Sequence, residues 1–99
     1  LSILIVDDDQ TSLMILSRVL GARYKVSTAK SFQEALTISS SLPPNSLDLL
    51  ISDMGLPDRH GSELLKELQS SGQACIQGIG LSGYGREEDI QRTLSAGYA

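Results

Sequence analysis

Apolar residues fall along this chain in short unbroken runs, separated by longer stretches in which they recur every three or four positions. Ile3-Leu4-Ile5-Val6 is continuously aliphatic and ends at acids, the pattern of a strand buried on both faces. Tyr24 to Ala29 is a weaker run, with Val26 and Thr28 as β-formers. Leu47 to Ile51 is apolar apart from Asp48 and ends at Ser52-Asp53. Cys75 to Leu81 is the fourth run, in which Cys75 is expected as a small buried strand residue. Its Gly78 and Gly80 weaken it as a strand and suit close packing.

The intervening stretches carry helix signals. Asp9 is placed as an N-cap for a helix from Gln10 to Leu20, with Gly21 as its stop. Leu13, Leu16 and Leu20 share one face of it. Ser31-Phe32-Gln33-Glu34 has the form of a capping box, opening a helix that fades into Ser39-Ser40-Ser41 before Pro43-Pro44. Ser62 to Gln69 brings Leu64, Leu65 and Leu68 to one side. Arg86 to Ala96 pairs Ile90 with Leu94 and holds Glu87, Glu88 and Asp89 in its first turn, where the helix dipole favours acids. Met14 and Met54 read as packing residues, and His60 as a loop residue. Strands alternating with helices predict βαβ units: an α/β fold with a parallel sheet, helices on both faces and right-handed crossovers.

Composition narrows the function. Of 99 residues, 12 are acidic and 8 basic, a net charge of −4. That balance argues against a general nucleic-acid binder and does not suit an anionic membrane surface. No apolar run approaches the roughly 20 residues of a membrane span. The single cysteine excludes an internal disulfide framework and a multi-cysteine zinc site, and fits a reducing compartment. The chain opens on Leu1, already in a strand-like run, and closes on Ser95-Ala96-Gly97-Tyr98-Ala99, a helix ending; both ends read as cuts in a longer protein.

In an open α/β sheet the site lies beyond the carboxyl ends of the strands. Asp7, Asp8 and Asp9 follow the first run, Asp53 the third, and Ser82 the fourth. Carboxylates brought close together resist ionisation, and a divalent cation removes the conflict. Oxygen-only ligands point to Mg²⁺ (or Mn²⁺). Acids holding a metal beside a free hydroxyl suit phosphoryl transfer, with Asp53 as the candidate nucleophile and Asp7 and Asp8 sharing the metal.

These residues resemble the receiver domain of two-component response regulators. The resemblance rests on Ile3-Leu4-Ile5-Val6-Asp7-Asp8-Asp9, on Asp53-Met54-Gly55-Leu56-Pro57 followed by Gly61, on Leu81-Ser82-Gly83, and on Ala96-Gly97, in that order. The stretch from Leu81 to Ala99 also resembles receivers at the C-terminus of hybrid histidine kinases. The resemblance implies a flavodoxin-like three-layer sandwich with strand order 2-1-3-4(-5). It implies that Asp53 is phosphorylated from phosphohistidine on a histidine kinase or histidine phosphotransfer protein. Asp7 and Asp8 would bind Mg²⁺, together with Asp53 and the backbone carbonyl of Gly55. Ser82 would hydrogen-bond the phosphoryl group and switch. Tyr84 and Gly55 would tune access of hydrolytic water. A cytoplasmic location, pairing on phosphorylation, and no contact of this domain with nucleic acid or membrane belong to the same picture.

The family carries a Lys and a switch aromatic on its fifth strand. Neither is found here, since Lys66 lies mid-helix and the chain stops first. One domain over residues 1–99 is therefore expected, lacking a final strand and helix of roughly 25 residues. Two other readings stand beside this one. Asp7-x-Asp9-x-Thr11 fits the first motif of haloacid dehalogenase-type phosphatases, with Asp7 as nucleophile and Asp9 as acid/base. A pseudo-receiver would keep the fold as a binding module without phosphorylation.

Overall fold

The computed structural model describes residues 1–81, 97 and 98. Four parallel strands, β1 (Ser2–Val6), β2 (Lys25–Ala29), β3 (Leu49–Asp53) and β4 (Gln77–Leu81), form a sheet of order β2-β1-β3-β4. Between them run α1 (Gln10–Gly21), α2 (Phe32–Ser40), and a 3₁₀ turn over Gly61–Glu63 that leads into α3 (Leu64–Ser70). This is the predicted α/β architecture and strand order. The helix expected over Arg86–Ala96 lies outside the described residues, as does Ser82.

Side chains alternate across the sheet, so β1, β2 and β3 each feed two cores. Leu4, Val6, Ala29 and Leu50 join Phe32 and Ala35 of α2 and Leu64, Leu65 and Leu68 of α3 in the larger one. Ile3, Ile5 and Ile51 face the other way, against Leu13, with Leu16 and Leu20 packed around them. Two layers of helix thus sandwich the sheet. Each fully buried Leu or Ile contributes roughly 1.5–3 kcal/mol, so the unbroken run of β1 is the most strongly held part of the sheet.

The helix starts follow the sequence signals. The Asp9 carboxylate accepts the Thr11 amide at 3.2 Å and the Ser12 hydroxyl at 2.9 Å. The Ser31 hydroxyl accepts the Glu34 amide at 3.1 Å. Four expectations require correction. Gly21 lies inside α1, whose C-cap is Ala22. The helix expected from Ser62 begins as a 3₁₀ turn, with α3 proper starting at Leu64. Cys75 is exposed in a turn, because β4 starts two residues later and Ile76 takes the buried place. Met14 is 55% exposed, since it lies about 100° around α1 from the buried Leu13. Met54 is buried, as expected.

The outer side of β4 is partly met by Tyr98, which forms a parallel bridge with Gly78. A Cβ at Gly78 would sit 2.7 Å from the Tyr98 ring and 3.0 Å from Leu65, which explains that glycine. Ile79 and Leu81 remain about two-fifths exposed, at 39% and 37%. Among the described residues no helix is long and apolar enough to cross a membrane.

Candidate phosphoacceptor and metal site

Strand register assembles the acids. Val6 is level with Ser52 in the β1–β3 pairing, so one further step along both strands reaches Asp7 and Asp53. Asp8 follows on the tight turn into α1. Carboxylate oxygens of Asp7, Asp8 and Asp53 all lie within 4.8 Å of one another. The three differ in setting: Asp7 is 7% exposed, Asp53 half-buried and Asp8 open to solvent. No Lys or Arg among the described residues forms an ion pair with them.

Asp7 carries the electrostatic tension. Burial raises its pKa above the ordinary value, and the negative charges of Asp53, Asp8 and Asp9 push the same way. The Asp9 amide, donated to Asp7 Oδ1 at 2.9 Å, opposes this in part. Asp53 is oriented by the Gly55 amide, which donates to its Oδ1 at 3.1 Å. An all-oxygen set with this much uncompensated charge fits a hard divalent cation such as Mg²⁺.

The loop after Asp53 is built closely around it. Met54 and Leu56 are buried in the larger core, which leaves Gly55 between them on the exposed side. The Met54 amide donates to the Leu81 carbonyl at 3.1 Å, and the Gly61 amide returns to the Met54 carbonyl at 2.8 Å. A Cβ at Gly61 would collide with the Asp53 carbonyl. Glycine is thus required there by close backbone approach. His60 caps the 3₁₀ turn, its Nδ1 accepting the Ser62 amide at 3.1 Å.

The structure brings the carboxylates of Asp7, Asp8 and Asp53 together, with the Gly55 amide on Asp53, while Ser82 and Tyr84 lie outside the described residues. Asp9 does not join the cluster of three, and its carboxylate is engaged as the α1 cap. Three residues of this region carry no motif that announces them. Asp58 accepts the Phe32 and Gln33 amides, each at 2.9 Å. Arg59 stacks over the Phe32 ring at 4.2 Å and pairs with Glu63 and Glu67. Tyr98 is buried, donates its hydroxyl to the Gly61 carbonyl at 2.8 Å, and has its pKa pushed up to about 12 by burial.

This sequence matches the response regulator receiver domain family over residues 3–99. The chain belongs to that family and is a receiver domain of two-component systems. It is 39% identical over 69 residues to the two-component response regulator ARR2 of Arabidopsis thaliana, covering 69% of this chain and 10% of that one. It is 29% identical over 96 residues to the sensor histidine kinase RcsC of Salmonella typhimurium, covering 96% of this chain and 10% of that one. The chain thus spans about a tenth of the length of these relatives. A solved CheY-like receiver domain from Methanospirillum hungatei superposes with a TM-score of 0.84 at 31% identity, over 98% of this chain and 75% of the other.

Proposed function

We propose that this receiver takes a phosphoryl group from phosphohistidine onto Asp53 in a Mg²⁺-dependent reaction and changes conformation as a result. The observation that carries the reading is the trio of carboxylates within 4.8 Å, one of them buried with its pKa raised. Asp7, Asp8, Asp53 and the Gly55 carbonyl would hold the cation (Mg²⁺ or Mn²⁺). When bound, it neutralises these carboxylates and the phosphoryl oxygens. An Asp53 carboxylate oxygen attacks phosphorus, the N–P bond breaks, and the imidazole leaves with the electron pair and takes up a proton. The Gly55 amide holds the carboxylate in line for that attack. Ser82 is assigned to hydrogen-bonding the transferred group on the strength of its place after β4.

The donor would be a histidine kinase or histidine phosphotransfer protein in the cytoplasm, and the likeness to a sensor histidine kinase supports a place in such a relay. Pairing of two receivers on phosphorylation is a further part of the proposal. The test is labelling by acetyl phosphate with and without Mg²⁺. A single acyl phosphate is expected on Asp53, and its formation is prevented by EDTA and by Asp53→Asn. A dehalogenase-type enzyme would keep its activity in that variant. An unlabelled full-length protein would leave only the pseudo-receiver reading.

A further inference from the structure

The segment from Leu56 to Arg59 makes no backbone hydrogen bond to the backbone of another described residue. Its position therefore depends on side chains. Leu56 anchors one end in the larger core. The other end is held by Asp58, whose two carboxylate oxygens take the Phe32 and Gln33 amides at 2.9 Å each. These are the first two amides of α2, and Ser31 takes the third, at Glu34. The start of α2 is a firm anchor, since Phe32 and Ala35 are fully buried. Arg59 adds a second tie, lying over Phe32 and reaching Glu63 and Glu67 beside and within α3. The loop that follows Asp53 is thus pinned across the tops of two helices at a point three residues beyond Gly55.

We propose that Asp58 is a positioning residue for the metal and phosphoacceptor site. By completing the cap of α2 from across the fold, it holds the loop that presents Gly55, so that the carbonyl assigned to the cation is in place before the cation arrives. The inference rests on the reading of Gly55 and Asp53 given above. It acts through geometry, not through the charge of Asp58, because that carboxylate is occupied by backbone amides.

Asp58→Ala removes both acceptors, while Asp58→Asn keeps one acceptor oxygen and removes the charge. Two readouts are needed: Mg²⁺ affinity by calorimetry, and the Mg²⁺ dependence of labelling by acetyl phosphate. Outer-sphere supports of this kind change metal affinity by about tenfold or more. Asp58→Ala is expected to weaken Mg²⁺ binding about tenfold, with labelling at saturating Mg²⁺ unchanged, and to speed amide exchange at Phe32 and Gln33. Asp58→Asn is expected to restore most of the affinity. Wild-type affinity in Asp58→Ala would overturn the proposal, as would an Asn variant as weak as the Ala variant, since its carbonyl oxygen can still take one of the two amides. If Asp58→Ala fails to fold, Asp58→Ser, whose single short hydroxyl cannot take both amides, replaces it: weaker Mg²⁺ binding with faster amide exchange at Phe32 and Gln33 supports the proposal, and wild-type affinity overturns it. If Asp53 takes no label in the wild type, the functional reading fails, and calorimetry still tests the role of Asp58.

Discussion

At the amino edge of the sheet, the Asp48 carboxylate accepts the Ser2 amide at 2.8 Å, and its backbone ties the starts of β1 and β4. Beside it, Gln73 is 1% exposed and satisfied on both sides: its Oε1 accepts the Leu47 amide and its Nε2 donates to the Pro43 carbonyl, each at 2.9 Å. At the carboxyl edge, Asp7, Asp8 and Asp53 face one another with no cation side chain between them among the described residues. The same residue type closes the sheet at one end and destabilises it at the other. The difference teaches where function is to be sought: a polar group whose partners are all supplied is structural, and a cluster left with a shared deficit of positive charge is a candidate binding site.

That contrast can be broken from the structural side first. Gln73→Ala strands the Leu47 amide in the interior, and a stability loss of about 2–4 kcal/mol is expected in chemical denaturation. Labelling of Asp53 should persist under native conditions. A variant as stable as wild type would show that Gln73 is dispensable and the contrast empty.

From the functional side, Asp7→Asn removes a buried charge that burial and its neighbours oppose. In the absence of divalent cations its melting temperature should rise by a few degrees. Mg²⁺ should raise the melting temperature of the wild type and leave this variant almost unmoved, by mass action. Equal Mg²⁺ stabilisation of both proteins would remove Asp7 from the metal site.

The smallest effect separates two aspartates by pH. The amides of Gln33 and Phe32 lower the pKa of Asp58 below its ordinary 3.8. The stability it adds is present above that value and is lost as pH falls through the lower, folded one. Asp7 runs the other way: with its pKa raised, its contribution is present below 3.8 and is lost as pH rises through the folded value. Replacing Asp58 by Asn should therefore flatten the acid limb of the stability curve, and replacing Asp7 by Asn should flatten the rise in stability that protonation brings. Parallel acid limbs in both variants would contradict the assignment.

Much of the fold was legible because it depends on local pattern. The run Ile3 to Val6, the Asp9 and Ser31 caps and the Leu64-Leu65-Leu68 stripe each specify an element without help from distant residues. Strand ends were less legible: β3 runs to Asp53, beyond the apolar run that announced it, because pairing with β1 and β4 extends it. Gly78 showed only as an anomaly, and its reason, the Tyr98 ring, lies 20 residues on. Cys75 and Met14 were misplaced because an apolar side chain at a strand or helix margin reads the same whether it faces in or out.

The candidate site divides in the same way. The sequence by itself determined which carboxylates stand at strand ends, since each follows directly from an apolar run, and with that the chemistry they could share. Only the tertiary structure decided that Asp7 and Asp53 come level, through the register of two strands more than 40 residues apart. It alone decided that Asp58 belongs to the support of that site, because its partners Phe32 and Gln33 lie 26 and 25 residues away. Periodicity encodes which face a residue takes, but a bond between distant amides and a loop carboxylate exists only once the sheet has brought them together.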